Sequence, residues 1–457
     1  MANTYLSETT LGTATDPTKF TFSAWVKTSF VGAGGSDDYQ LLLGSKPDHS
    51  SGREGVWIWQ NSEIAFYNYA SAGASAITTR TSAKLRDVNG WYHIVVTGDA
   101  SQSGTDKLKF YINGELQTAF AEDNRSNFVT IAHGIQDTSS EVNIGGYSGA
   151  NYYFDGILSH VHFTDGYAYA ASTFGSTDST TGQWKINTAP SVTYGNNGFF
   201  ILKDTNSGTD QSGNSNNFTV GGGTLTKSED CPSNVFSNMN PLIVSNGVFS
   251  EGNNTVTTTS SNWCTIGSTL GATSGKYYWE VKANLLSGSS FYTMIGFVRL
   301  QGNSSDIGSN TTSHIGSNNG VGMYSDGGDI YYPGGSTSYG SSFSNGNIIG
   351  VALDLDNNFA YWSINGTWQN SGVPTSGGTG TGGYNISSFA DGSFILPASS
   401  VQNYSSGNKS ENEYNFGNGY FGTTAVSSAG TNASNIGIFE YDVPTGFTAL
   451  TTKGLNL

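Results

Sequence analysis

Two short segments constrain this chain more than any global property. In KLKFYINGELQ (residues 107–117), Leu108, Phe110 and Ile112 fall on one side of an alternating strand that ends at Asn113-Gly114. That pair tolerates the positive φ angles of a type I′ turn, so the chain must reverse there. AYWSINGTWQ (residues 360–369) repeats the same logic around Asn365-Gly366. Two antiparallel hairpins 250 residues apart imply sheets in both halves of the chain.

Period-two patterns fill the intervals. In KFTFSAWVK, Phe20, Phe22, Ala24 and Val26 share one face, and Thr21, Ser23, Trp25 and Lys27 the other. Leu41–Leu43, Val56–Trp59, Ile64–Tyr69, Trp91–Thr97, Val142–Ile144 and Ile157–Phe163 follow, bounded by Gly, Asn, Asp or Ser. So many short strands in the first 165 residues predict a β-sandwich. A second series starts near residue 246 with KYYWEVK (276–282), Met294–Val298 and GVALDLDNNFAY (350–361). Between them, Gly/Ser/Asn-rich stretches read as a connector with one docked strand near Phe199–Leu202.

Composition enters where it excludes. Charged residues are 11% of the 457, with 18 basic against 34 acidic for a net charge of −16. A phosphate-binding surface needs clustered Lys and Arg, so nucleic acid is not an expected partner. The 62 glycines argue against helical bundles, while 13% aromatic residues argue against disorder. No apolar run approaches the roughly 18 residues of a membrane span, and MANTYLSETT lacks the basic and apolar regions of a secretory leader. The expectation is a chain without membrane insertion. Cys231 and Cys264 could pair, but two thiols do not make a disulfide framework.

Five segments taken in order, TFSAWVK (21–27), GWYHIVVTGD (90–99), LKFYINGELQ (108–117), VNIGGY (142–147) and FDGILSHVHFTDGYAY (154–169), resemble a LamG-like, concanavalin A-like jelly roll. GKYYWEVKA (275–283), IGFV (295–298), VGMYSDGGDIYYPG (321–334), IGVALDLDNNFAYWSING (349–366) and FILPAS through NFG (394–417) resemble a SPRY domain. The fold expected is all-β: two concanavalin A-like sandwiches at residues 1–170 and 246–420, a connector at 171–245 and a C-terminal tail at 421–457. The pairing of these domains, with the opening YLSETT and the closing PTGFTALTTKGLNL, resembles structural proteins of marine bacteriophages. That resemblance implies a virion component exposed at the particle surface: a fibre, tail appendage or capsid decoration. Other virion proteins, further copies of the same chain and a host-surface glycan or protein are the partners it implies.

Catalysis is not expected. Glycosidases on this fold place two carboxylates roughly 5–9 Å apart, commonly as alternating acids on one strand. Here Asp354 and Asp356 alternate, but beside a turn, where Asp is an ordinary turn former. A depolymerase would need carboxylates converging from separate strands. A bacterial adhesin and a purely architectural subunit are the other rivals. His160 and His162 could begin a metal site on one strand face, yet no third ligand is evident. The LamG-like resemblance also implies calcium at the sandwich rim as the one candidate cofactor, with Asp37, Asp38 and Asp99 as candidate ligands. Sugar rings stack on aromatic faces while their hydroxyls bond to amides and carboxylates. The candidate binding residues are therefore Trp57 and Trp59 in VWIWQNSEIAFYNY, Tyr331, Tyr332 and Tyr339 in GGDIYYPGGSTSYG, and Trp368 after the second Asn-Gly turn.

Overall fold

The computed structural model describes residues 3–456 apart from 10, 30, 31, 33, 36, 37, 46–53, 69–76, 89, 132–134, 136–140, 147–151, 204–206, 244–246, 259, 260, 289–291, 301–313, 318, 390 and 404–408. Among these the regular structure is β-strand with short 3-10 turns, and the chain divides into two compact units, Met1–Lys227 and Ser228–Leu457.

The first unit packs an eight-stranded sheet against a six-stranded one. The eight-stranded sheet runs Phe120–Glu122, Ile77–Lys84, Glu63–Asn68, Glu54–Ile58, Gln40–Ser45, Val142–Ile144, Tyr5–Glu8, Thr219–Gly222. The six-stranded sheet runs Phe199–Ile201, Gly156–Asp165, Lys19–Thr28, Tyr92–Asp99, Leu108–Ile112, Glu115–Leu116. Alternation places Phe20, Phe22, Ala24 and Val26 in the core with Phe66, Phe110, Phe128 and Phe163. Each buried aromatic or aliphatic side chain stabilises the sandwich by about 1.5–3 kcal/mol.

The second unit repeats the plan. A nine-stranded sheet includes Gly247–Ser250, Thr255–Thr258, Lys409–Asn415, Lys276–Ser287, Ile348–Asp354, Phe359–Ile364 and Thr367–Trp368 in that order. Its partner runs Cys264–Gly267, Phe394–Gln402, Tyr292–Leu300, Gly320–Tyr324, Ile330–Tyr332, Gly335–Thr337. Trp279, Trp362, Phe297 and Tyr414 fill the space between them.

Both Asn-Gly turns form as expected, with φ of 49° and 82° at Asn113-Gly114 and 48° and 77° at Asn365-Gly366. The flanking segments differ from the expected boundaries. The chain divides inside the stretch read as a connector, because Phe199–Ile201 joins the six-stranded sheet and Thr219–Gly222 the eight-stranded one. Residues after 227 belong to the second unit through bridges such as Phe236 to Thr451 and Met239 to Ser268. The C-terminal segment is likewise integral, with Thr448–Ala449 pairing in parallel with Lys276–Ser287. Each of these strands is too short to display a period in sequence, yet each satisfies backbone groups that would otherwise be buried unpaired.

Both units cover one outer sheet face with a later segment of their own chain. In the first, Phe174 and Trp184 lie over His93 and His162 of the six-stranded sheet. In the second, Phe439, Val443 and Phe447 lie over Tyr278 and Tyr361 of the nine-stranded sheet. The Asn-Gly turn anchors each cover: Trp184 packs on Gly114 and Tyr441 on Gly366, so closely that a Cβ there would sit 2.4 Å and 2.6 Å from the respective rings.

Candidate functional site

The remaining outer face of the first unit, on the eight-stranded sheet, carries a cluster of aromatic rings. Val56 and Ile58 turn inward, so Trp57 and Trp59 turn outward. Trp57 sits between Leu41 and Ala65 on the neighbouring strands and is 3% exposed. Trp59 is half-buried, as are Tyr39, Tyr67 and Tyr152 around it. Tyr39 meets Trp59 edge to face with ring centres 4.6 Å apart, and Tyr152 at 5.9 Å. Tyr152 also meets Trp57 at 5.7 Å, and Tyr67 lies 5.9 Å from Trp59. Edge-to-face contacts of this kind fix ring orientation.

Polar groups fringe these rings. The Trp59–Ser62 turn closes by the Ser62 N–H on the Trp59 carbonyl at 2.7 Å and leaves the amides of Gln60 and Asn61 half-exposed. The Arg80 guanidinium stands 5.9 Å from the Trp59 ring centre, held by Glu63 at 2.9 Å and Glu122 at 3.2 Å. The result is a firmly packed apolar floor with amide and guanidinium donors at its edge. Such a surface suits the C–H face of a sugar ring and its hydroxyls. Sequence pattern found Trp57 and Trp59 but missed Tyr39 and Tyr152, which lie just outside strands and reach the patch only through the fold.

The four aromatic residues singled out in the second unit do not form one patch. Tyr331 faces outward from the six-stranded sheet, beside His314 and Tyr324. Tyr332 is its neighbour in sequence and therefore points the other way, against the inner core near Tyr384. Tyr339 is 7% exposed in that core, edge-on to Trp362, and burial raises its phenol pKa above the ordinary value. Trp368 lies on the outer face of the other sheet, packed beside Tyr278 among residues overlaid by the C-terminal segment.

The calcium candidates do not assemble either. Asp99 pairs with Lys19 at one end of Lys19–Thr28, whereas Asp38 lies beyond the other end of that strand, roughly 30 Å along at 3.3 Å per residue. Asp99 spends its oxygens on its own turn, accepting from Ser101 at 2.6 Å and Gln102 at 3.0 Å. Asp38 accepts from the Gly35 N–H at 2.9 Å. Asp37 lies outside the described residues. Among the described residues no cluster of three His, Cys, Asp or Glu side chains could hold a metal.

The other chemistry weighed from sequence resolves into structure. His160 takes a left-handed conformation, φ 49°, at a break in strand register, and its Nδ1 bonds to Ser159 Oγ. His162 Nδ1 bonds to Tyr194 at 2.9 Å, and burial holds its pKa well below the ordinary value. Asp354 is fully buried, bound to Lys276 at 3.0 Å and to Asn357, and Asp356 accepts the Gly275 N–H. Cys231 and Cys264 are not joined, and burial pushes the Cys264 thiol up to about 12.

Comparison with known proteins agrees with this architecture. Residues 2–172 match the family model of the concanavalin A-like lectin/glucanases superfamily, and residues 276–389 match the SPRY domain. The chain thus contains a LamG-like domain followed by a SPRY domain. Among solved structures it is similar to the SPRY domain of human HERC1, at 17% identity over 39% of this chain and 96% of that one, TM-score 0.30. It is also similar to a native heptameric SAP-like pentraxin from Limulus polyphemus, at 12% identity over 41% of this chain and 86% of that one, TM-score 0.27. No curated protein matches the chain in sequence.

Proposed function

We propose that this pairing of a lectin-like and a SPRY domain is a non-enzymatic binding protein displayed at the surface of a bacteriophage particle, where it engages surface glycan of the host. The observation that carries the binding half of this reading is the outward cluster of Tyr39, Trp59, Tyr67 and Tyr152 with Gln60, Asn61 and Arg80 at its edge. Contiguous aromatic surface rimmed by polar groups commonly marks an interaction site. The low charge, net −16, and the turn-rich composition support a neutral, hydroxyl-rich ligand over a phosphate-bearing one.

The virion half rests on the resemblance of the domain pairing and chain ends to marine phage structural proteins. In that setting the chain contacts other virion proteins and further copies of itself. Rigid sandwiches need no chemistry to serve there, since many weak copies on one particle bind together with high avidity.

Retention of the purified chain on resin bearing surface polysaccharide of marine bacteria tests the first half. Trp59→Ala and Tyr39→Ala should each weaken retention about tenfold, and no new reducing ends should appear. Unchanged retention in both variants would remove the assigned face, and new reducing ends would make the protein a depolymerase. Negative-stain imaging of particles with antibody to the chain tests the second half: labelled appendages or capsids support it, and unlabelled particles contradict it.

A further inference from the structure

We infer that the second unit carries a second, independent glycan-binding face, on the outer side of its six-stranded sheet. The inference takes its ligand class from the reading of the first unit but rests on different residues. Among the described residues the C-terminal segment covers the other sheet, whereas on this one the short turn Ile315–Ser317 packs beside a cluster of rings.

Trp263, Tyr292, His314, Tyr324 and Tyr331 gather there, all half-buried. Trp263 meets His314 at 5.8 Å and Tyr324 at 6.0 Å, both edge to face. Tyr331 meets His314 at 5.4 Å and Tyr324 at 5.5 Å in the same geometry, and Tyr292 stacks on Tyr324 at 6.4 Å. The rings stand on a floor of Met294, Val298, Ile315, Leu396 and Ala398. Gly322 makes room for that floor, since a Cβ there would meet Ile315 at 2.5 Å. The site thus resembles the first unit's face: rings set edge to face, with Gln402 opposite Tyr292 at the strand end and its amide donating to the Ser261 carbonyl at 2.7 Å.

Charge selects the occupant. The six strands of this sheet contain one charged residue, Arg299, and it turns to the opposite side, where it binds Asp391 at 2.9 Å and stacks on Phe389. Asp326, in the turn beside Tyr324, adds a negative charge to the rim. Among the described residues the buried Nδ1 of His314 has no hydrogen-bond partner while its Nε2 meets Ser317 Oγ at 3.3 Å, and burial lowers the pKa of the ring below the ordinary value. A face of rings with the Asp326 carboxylate at its rim, on a chain of net charge −16, fits an uncharged sugar and opposes an anionic one. An acidic peptide or a sulfated polysaccharide is therefore not its occupant.

Calorimetric titration of the full chain with short neutral oligosaccharides, cut from a β-glucan and from agarose, tests this, with heparin oligosaccharide as the anionic comparison. Wild type should bind two neutral oligosaccharides per chain and no heparin. Trp263→Ala and Tyr331→Ala should each leave one site, as should Trp59→Ala, and the Trp59→Ala/Trp263→Ala pair should leave none. Trp263→Phe, which keeps a ring, should retain two sites and so separates lost binding from lost folding. Avidity for the uncut polysaccharide should fall about tenfold in each single variant and further in the double variant. A single wild-type site that Trp59→Ala removes and Trp263→Ala leaves intact overturns this inference while sparing the first face. A single site with the opposite response overturns the first face and sustains this one. No binding overturns both, and heparin binding that Trp263→Ala removes replaces the neutral ligand with an anionic one and overturns the inference.

Discussion

The carboxyl group of Glu280 accepts the backbone N–H of Tyr441 at 2.9 Å, and so ties the C-terminal segment to a strand 161 residues earlier. The Glu440 N–H, the Tyr278 hydroxyl and the Asn415 amide donate to the same group at 2.9 Å, 2.9 Å and 3.3 Å. Glu280 has no exposed surface, and burial outweighs these four donors, raising its pKa to about 7.

That value sets a pH response for the second unit. The folded pKa lies above the ordinary 4.5, so between pH 4.5 and 7 the folded state holds a proton that the unfolded state has lost. Stability from this group is complete below pH 4.5 and lost as pH rises through 7, by about 3 kcal/mol. Scanning calorimetry should show the second unit melting higher at pH 5 than at pH 8. Glu280→Gln should flatten that slope and lower the midpoint, because an amide offers one acceptor oxygen to two backbone donors.

The first unit should respond in the opposite sense. His93 is fully buried, and burial lowers its pKa to about 3. The Trp184 indole N–H donates to its Nδ1 at 3.0 Å, which leaves the proton on Nε2, 2.9 Å from Ser23 Oγ. A folded pKa below the ordinary 6.5 contributes stability that is present above pH 6.5 and lost as pH falls toward 3. Hydrogen exchange followed by unit between pH 7 and 5 should show protection falling in residues 1–227 while it rises in 228–457. His93→Phe should reduce the first slope, leaving the share of His162, at a cost of about 1–3 kcal/mol for the unpaired Trp184 and Ser23 groups.

The two Asn-Gly turns should be equally intolerant of a side chain. Gly114→Ala and Gly366→Ala each place a Cβ at a positive φ and against the ring of Trp184 or Tyr441. Each should cost about 1–3 kcal/mol and loosen its own cover, read as a lower melting midpoint for that unit alone. Equal effects on both units from either change would contradict two independent clamps.

Much of the fold was legible in sequence, and the reasons it was legible also mark where reading stopped. Phe20, Phe22 and Val26 announced a buried strand face because a strand has period two, and Asn113-Gly114 announced a reversal because few other pairs accept its φ angles. The same period should have separated Tyr331 from Tyr332, which pooling them by proximity to glycines obscured. Trp368 was misplaced because its covering segment is held by backbone N–H groups on Glu280, an interaction with no side-chain signature. Tyr39 and Tyr152 were missed because their contact with Trp59 depends on strand order, not spacing. Asp99 looked like a ligand by type alone, and its turn partners Ser101 and Gln102, two and three residues on, were the signal that it was already satisfied.

The nine tryptophans supply their own reporters for the central claim, that the outward aromatic face of the first unit binds sugar. With 5-fluorotryptophan throughout the chain, fluorine NMR resolves each indole, and Trp59→Phe assigns the key resonance. Titration with a neutral oligosaccharide should shift Trp59 strongly, while the interior Trp279 and Trp362 stay fixed. Saturating binding with Trp59 unmoved, or shifts confined to Trp184 and Trp368, would contradict the account.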